Sequence, residues 1–595
     1  MTFILLDNTK DKGEGAWLFE HPIEVIQADG PDDVARAIEQ LEAANKSGLY
    51  TAGFCSFELA YALEPSLAAL MPPERDMPLI WFGVFPKRQK LSSTETTAFL
   101  NNKRKGDSQV GELHPQWSQS EYTSRFEKAR EAIIAGEVYQ LNLTFKTNFE
   151  CVGDPIALYL KLREQQPVSF SAYIDAPEFK ILSLSPELFI RQNEQQIETK
   201  PMKGTAPRAF LPDEDNKVAM ALAADTKSQA ENLMIVDLMR NDIGRISQPH
   251  SVQVNNLFEV ETYKTLHQMI STVKANLKPD IGLLDLLKAL FAPGSIVGAP
   301  KIQAMKLIRQ LEEGSRAVYC GAIGMMSVQE KVFNVAIRTA VLTPRGSDVY
   351  KGEMGIGSGV VYDSVAASEY EECLLKAKFF TQDAEAFGLI ETLRYDNGTG
   401  YYLFDRHMQR LVASTRYFAI PFDVTYIRSA LMALVAQCEV PHLRVRLELS
   451  SKGEISIQST PLPAETLSQT LKFVIAQDPI HSNHLHLYHK TTAREFLDNP
   501  AKAYKEKTGC DEVVYLNERG ELTQGSYMNI FLQQGDGSYV TPPVSAGLLP
   551  GTFRAEFMST HNVTEKTLTP ANIAKAKAVY LGNSVRGLLK AIQIS

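Results

Sequence analysis

Glycine, β-branched and aromatic residues alternate over Leu49–Leu59 and Val332–Val341, the pattern expected of buried strands. Apolar positions recur instead at helical spacing over 121–135, 217–240, 301–312 and 365–380, so the chain reads as mixed α/β, of the α+β kind. The opening run Phe3-Ile-Leu-Leu-Asp7 has no basic flank and is expected to be a buried strand, not a targeting segment. Neither period is found between Ser92 and Gly111. That polar stretch is expected to be an exposed loop setting off an N-terminal subregion of about 1–110. After the helical pattern ends near Phe380, the polar run Thr381-Gln-Asp-Ala-Glu-Ala386 leads into a new strand at Phe387–Arg394. The main boundary is placed there, giving domains 1–384 and 385–595.

Length supports the division, because 595 residues are too many for one hydrophobic core. No apolar run approaches the roughly 20 residues that span a bilayer, so no membrane is expected. With 61 basic and 70 acidic side chains the net charge is −9, and no long basic run stands out beyond the short Lys103-Arg104-Lys105 cluster, which speaks against nucleic acid. Six cysteines lie far apart with no CxxC pair, as expected of a protein of the reducing cytoplasm.

On the helix pattern 365–380, Glu369, Glu372 and Lys376 share one face. Taken alone this suits a solvent-exposed ion pair worth about a few tenths of a kcal/mol. Glu231 lies on another helix among apolar side chains, a costly place for a charge unless Arg240 or Arg245 answers it. Together the three carboxylates could hold Mg²⁺, a hard cation usually shared with an anionic ligand. The glycine turn of Pro293–Pro300 precedes a helix at Lys301 whose free N–H groups suit a carboxylate, and Gly352, Gly355, Gly357 and Gly359 would let backbone approach a ligand closely.

Six segments in order, Pro201-Met-Lys-Gly-Thr205, the Glu231 helix, Gly294-Ser-Ile-Val-Gly-Ala-Pro-Lys301, Tyr319-Cys-Gly-Ala-Ile-Gly324, Asn334-Val-Ala-Ile-Arg-Thr339 and Gly357-Ser-Gly-Val-Val-Tyr-Asp-Ser364, resemble the chorismate-utilising enzymes. The resemblance implies a β-sandwich with flanking helices. It assigns Glu231, Glu369 and Glu372 to Mg²⁺, and Ser295, Tyr319, Arg338 and Lys376, with Thr205, Gly357 and Gly359, to the substrate. His267 falls on the family's active-site histidine. Where relatives often carry a further acid one turn before Glu231, this chain has Ser228.

In the Pro-x-x-Gly-Thr segment, anthranilate-forming members resemble Pro-Ile-Ala-Gly-Thr, and members that aminate C4 carry lysine where this chain has Lys203. Such an amine could attack ring C2 as hydroxide leaves C4, and ammonia could then attack C4 and expel the lysine. Glu187 falls on the family's general acid. None of the eleven histidines is followed at the second position by Glu, so the glutaminase signature is missing. Free ammonia, or a separate glutamine amidotransferase subunit, is implied.

From Phe387 onward, Phe404-Asp-Arg-His-Met-Gln-Arg-Leu411, Tyr488-His-Lys-Thr-Thr-Ala-Arg494, Leu522-Thr-Gln-Gly-Ser-Tyr-Met-Asn-Ile-Phe531, Gly547-Leu-Leu-Pro-Gly-Thr-Phe-Arg554 and Gly582-Asn-Ser-Val-Arg-Gly587 resemble the fold-type IV pyridoxal phosphate enzymes. The resemblance implies two subdomains, pyridoxal 5′-phosphate on Lys490, and a phosphate site at Gly551 and Thr552 helped by Asn583 and Ser584. It also implies a homodimer. Gln524 stands where relatives usually have glutamate against the pyridine nitrogen, a change that weakly favours elimination over transamination. His481, His484, His486 and His489 supply no recognised i,i+4 ligand pair.

The expected function is C4 amination of chorismate with ammonia, followed by elimination of pyruvate to give 4-aminobenzoate for folate synthesis. The rivals are an anthranilate synthase component fused to a fold-type IV aminotransferase, a synthase with a weak lyase domain, and a non-catalytic scaffold that docks a glutaminase.

Overall fold

The computed structural model describes residues 2–11, 13–381, 387–436 and 438–594. Two compact units emerge, one of Met1–Arg208 and Lys217–Asp383, the other of Ala209–Asn216 and Ala384–Ser595. Eight residues from the middle of the sequence thus group with the C-terminal unit.

The first unit is built on two large antiparallel sheets. Strand Phe3–Asp7 shows how they pack. Ile4 joins Phe54, Trp81, Ile174 and Ile323 in one core, while Phe3 and Leu5 join the larger core beneath the helices. Both sheet faces are therefore covered, which is why these strands read as near-continuous apolar runs. The longest pairing joins Gln140–Gly153 to Val349–Val360, with Asn142 opposite Gly359 and Thr144 opposite Gly357.

One expectation fails for an identifiable reason, and one helical pattern proves to be divided. Residues Ser93–Lys103 form a helix, not a loop, because Ser92 and Glu95 make a reciprocal capping box and Leu100 is buried. With so few buried positions, the segment carries almost no apolar period. The pattern over 217–240 is two helices, Pro212–Ala224 and Thr226–Ile246, since the Asp225 carboxylate accepts the Ser228 N–H at 2.7 Å and starts a new N-terminus.

In the second unit, a four-stranded sheet packs against helices Phe404–Phe418 and Val424–Val435, and an eight-stranded sheet encloses a separate core. Phe210, from the segment that groups with this unit, stacks on Tyr488. Among the described residues no helix is long and apolar enough to cross a membrane.

Candidate active sites

In the first unit Lys203 is placed by its backbone. Gly204 adopts a left-handed φ of 88°, and a Cβ there would lie 2.9 Å from the Ser228 Cβ. The small side chain at 228 lets strand Met202–Pro207 lie close to helix Thr226–Ile246. Asn232 on that helix donates to the Lys203 carbonyl at 3.4 Å and accepts from the Ser271 hydroxyl at 2.6 Å.

The Lys203 ammonium points at strand Val349–Val360. A Cβ on Gly359 would fall 2.8 Å from its Nζ, 2.8 Å from Gln140 Nε2 and 2.9 Å from Asn142 Oδ1. Burial and the Lys376 charge lower the Lys203 pKa, against the pull of Glu231, Glu187 and Glu372. Glu187 is buried and pushed up to about 7 by loss of solvent, although Ser295, Lys203 and the Met202 N–H favour its ionised form. An amine with a lowered pKa and an acid with a raised one therefore stand in the same site. The Gly359 position gives a direct prediction. Gly359→Ala should displace Lys203 and lower turnover at this site by about a hundredfold, since misplacement of a reacting group by ~1 Å costs that much; steady-state rates with thermal melting as a control check it.

Lys376 donates to the Gly357 carbonyl at 2.9 Å and pairs with Glu372 at 2.7 Å. Arg240 and Arg245 pair with Asp237 and Asp242, so neither answers Glu231. The Glu231 carboxyl is instead raised, first by burial, with Glu369 and Glu372 adding repulsion. A hard cation would relieve that repulsion, and the oxygen donors suit Mg²⁺. Among the described residues, however, no three potential ligands are close enough to hold an ion by themselves, so a cation here needs oxygens from a bound anion as well.

The remaining candidates line up differently. Arg338 has left-handed backbone (φ 51°), a strained state for a side-chain-bearing residue. It donates to Gln166 Oε1 at 3.3 Å and pairs with no carboxylate among the described residues. A half-buried guanidinium without a counter-ion is a ready partner for an anion. Tyr319 lies under the same strand as Gly359, where a Cβ on Gly355 would come 2.0 Å from its ring. His267 is buried opposite Ala206, its Nδ1 3.0 Å from the Thr262 hydroxyl. Thr205 is exposed and donates to Gln268, so its side chain is not gathered with the lysine. Gln140 and Asn142 escaped the sequence reading, although the phase of their strand, residues two apart on one face, could have flagged them.

The second unit encloses a cavity of about 650 Å³ that reaches Lys490, Gln524, Gly551, Thr552, Asn583 and Ser584. Burial, Arg494 and Arg410 push Lys490 down to about 7. Gln524 Oε1 accepts the Leu549 N–H at 2.9 Å, and Asn529 donates to the Leu549 carbonyl at 3.1 Å, so the turn before helix Thr552–Thr560 is held on both sides. Gly551 is required there, because a Cβ would meet Asn529 Oδ1 at 2.2 Å. Asn583 Oδ1 accepts from the backbone of Val585 and Arg586, and the Ser584 hydroxyl donates to the Thr392 carbonyl at 3.4 Å. Arg410, to which the sequence alone assigns no role, is fixed by two bonds to Glu391 at 2.9 and 2.6 Å. It brings a cation to the same cavity as the helix N-terminus. A neutral-prone lysine, a helix N-terminus and an arginine fit an aldehyde cofactor that carries a phosphate.

Residues 1–382 match the family described as chorismate binding enzyme, and residues 388–594 match amino-transferase class IV. Aminodeoxychorismate synthase component 1 of Escherichia coli (strain K12) is 39% identical over 269 residues, covering 45% of this chain and 58% of that protein. Anthranilate synthase component 1 of Aquifex aeolicus (strain VF5) is 37% identical over 291 residues, covering 49% of this chain and 58% of that protein. The chain thus spans less than two thirds of the length of these curated relatives. The crystal structure of anthranilate synthase component I from Streptococcus pneumoniae TIGR4 superposes with a TM-score of 0.52 at 26% identity, covering 64% of this chain and 92% of that one.

Proposed function

Because the chain belongs to the chorismate binding enzyme family, we propose that its first unit aminates chorismate at C4 and its second unit expels pyruvate from the product to give 4-aminobenzoate. The observation that carries this reading is the Lys203 amine, depressed in pKa and set beside Glu187.

In the first step Nζ of Lys203 bonds to ring C2, the ring double bonds shift, and the C4–O bond breaks as Glu187 gives the hydroxyl its proton, so that water leaves. Ammonia then bonds to C4, the double bonds shift back, and the C2–N bond breaks to release Lys203 as a neutral amine, while the proton shed by the attacking nitrogen goes back to Glu187. The sum is chorismate plus ammonia to 4-amino-4-deoxychorismate plus water. Arg338, Tyr319, Ser295 and Lys376 would hold the carboxylates and the enolpyruvyl arm. Mg²⁺ would sit with Glu231, Glu369 and Glu372 and offset carboxylate charge. The ammonia would come from solution or from a separate glutaminase subunit.

In the second unit, pyridoxal phosphate bound at Lys490 would supply an electron sink next to the substrate amine. Lys490, whose amine is pushed down to about 7, would take the proton from ring C4. The C3–O bond to the enolpyruvyl arm then breaks, and the ring becomes aromatic as pyruvate departs. Gly551, Thr552 and Arg410 would hold the phosphate, with Asn583 and Ser584 beside it.

The test is to incubate the purified chain with chorismate, ammonium, Mg²⁺ and pyridoxal phosphate. Pyruvate and 4-aminobenzoate are expected without any partner. Release of fluorescent anthranilate would instead support the anthranilate synthase reading, to which a 37% identical relative lends weight. No turnover at saturating ammonium would support a scaffold. Because Glu187 acts while protonated, C4 amination should decline as the pH rises through about 7, where its carboxyl ionises.

A further inference from the structure

Among the groups around the Lys203 amine is the neutral side-chain carbonyl of Asn142, within hydrogen-bond reach of Nζ. We propose that Asn142 is a positioning residue, whose side-chain carbonyl holds the Lys203 amine over ring C2 and so sets the choice of C4 over C2 for nitrogen. The inference rests on the C4-amination reading above.

Asn142 is fixed on four counts. Its strand pairs it with Gly359, its N–H donates to the Val297 carbonyl at 2.9 Å, its carbonyl accepts from Arg316 at 2.9 Å, and its side-chain Nδ2 donates to the Ser295 carbonyl at 2.6 Å. The last bond decides which way the amide faces. Turning it over would set the Oδ1 against the Ser295 carbonyl, so Oδ1 stays toward Lys203, 3.5 Å from Nζ. Opposite it is Gly359, which supplies no side chain. Nζ thus has a polar anchor on one side and open backbone on the other.

An amine that gives one N–H to a fixed carbonyl has its lone pair directed elsewhere, a geometric constraint that a flexible lysine stem lacks by itself. Being neutral, the amide orients Nζ without adding to the carboxylate field of Glu187, Glu231 and Glu372. If the amine swings away from C2, ammonia meets that carbon first and gives the 2-amino product.

The experiment compares Asn142→Ala and Asn142→Asp in the full chain, with Lys203→Ala alongside, measuring the ratio of 4-amino to 2-amino products together with kcat and KM for chorismate. Asn142→Ala should lower kcat for C4 amination by about 10- to 100-fold, leave KM within about twofold, and raise the 2-amino share. Asn142→Asp, which keeps an oxygen facing Nζ but sets its other oxygen against the Ser295 carbonyl, should retain more of the C4 preference than Asn142→Ala. Thermal melting of each variant beside the wild-type chain reports on folding of the first unit. An unchanged product ratio in Asn142→Ala, or Ala and Asp variants that behave alike, would overturn the proposal. Intact C4 product from Lys203→Ala would instead sink the underlying reading.

Discussion

Lys203→Ala is expected to lose C4 amination by on the order of a thousandfold or more, as removal of a nucleophile does, while chorismate still binds. Arg338 and Lys376, the groups proposed to hold the carboxylates, are untouched by the change, so KM should move little. Ammonia, no longer pre-empted at C2, should add there and yield some anthranilate. Both outcomes are read by chromatography of products formed with saturating ammonium. The variant also removes the group that holds the Glu231 carboxyl down, leaving the repulsion from Glu369 and Glu372 less compensated. A higher Mg²⁺ requirement is the corresponding side effect.

Lys490→Ala should separate the two halves of the reaction. The first unit keeps its chemistry, so 4-amino-4-deoxychorismate should accumulate, and 4-aminobenzoate should fall by on the order of a thousandfold or more. The visible absorbance of the lysine-bound cofactor should vanish with it. In the wild-type protein freed of cofactor, burial and the arginines leave Lys490 with a pKa of about 7. Its reaction with an added aldehyde should therefore rise as the pH passes through about 7, well below the range of an ordinary lysine. A rise only near the usual lysine value would contradict the picture of a dry, positively charged pocket.

Much of both sites was legible because the chemistry sits on short runs whose residue types have few other uses. Lys203 beside a glycine, and glycines spaced two apart at 355, 357 and 359, announce backbone that must come close to something. What was missed depended on partners far away in sequence. Arg410 carries no local signal of its own, and its place comes from Glu391, nineteen residues earlier in the chain. Asn142 looked like a polar residue on a buried strand, and only the Ser295 carbonyl gives its amide a direction. The helix at Ser93–Lys103 rests on caps more than on apolar period, and the break at Asp225 rests on a single carboxylate. The grouping of Ala209–Asn216 with the C-terminal unit had no local signal at all, since a boundary read from composition assumes each unit is continuous.

The most direct measurement is mass spectrometry of the protein given chorismate without ammonia, quenched and digested. The account predicts a dehydrated substrate bound covalently to the peptide that carries Lys203, discharged when ammonium is added and missing from Lys203→Ala. Formation of 4-amino-4-deoxychorismate at full rate with that peptide never modified would contradict it.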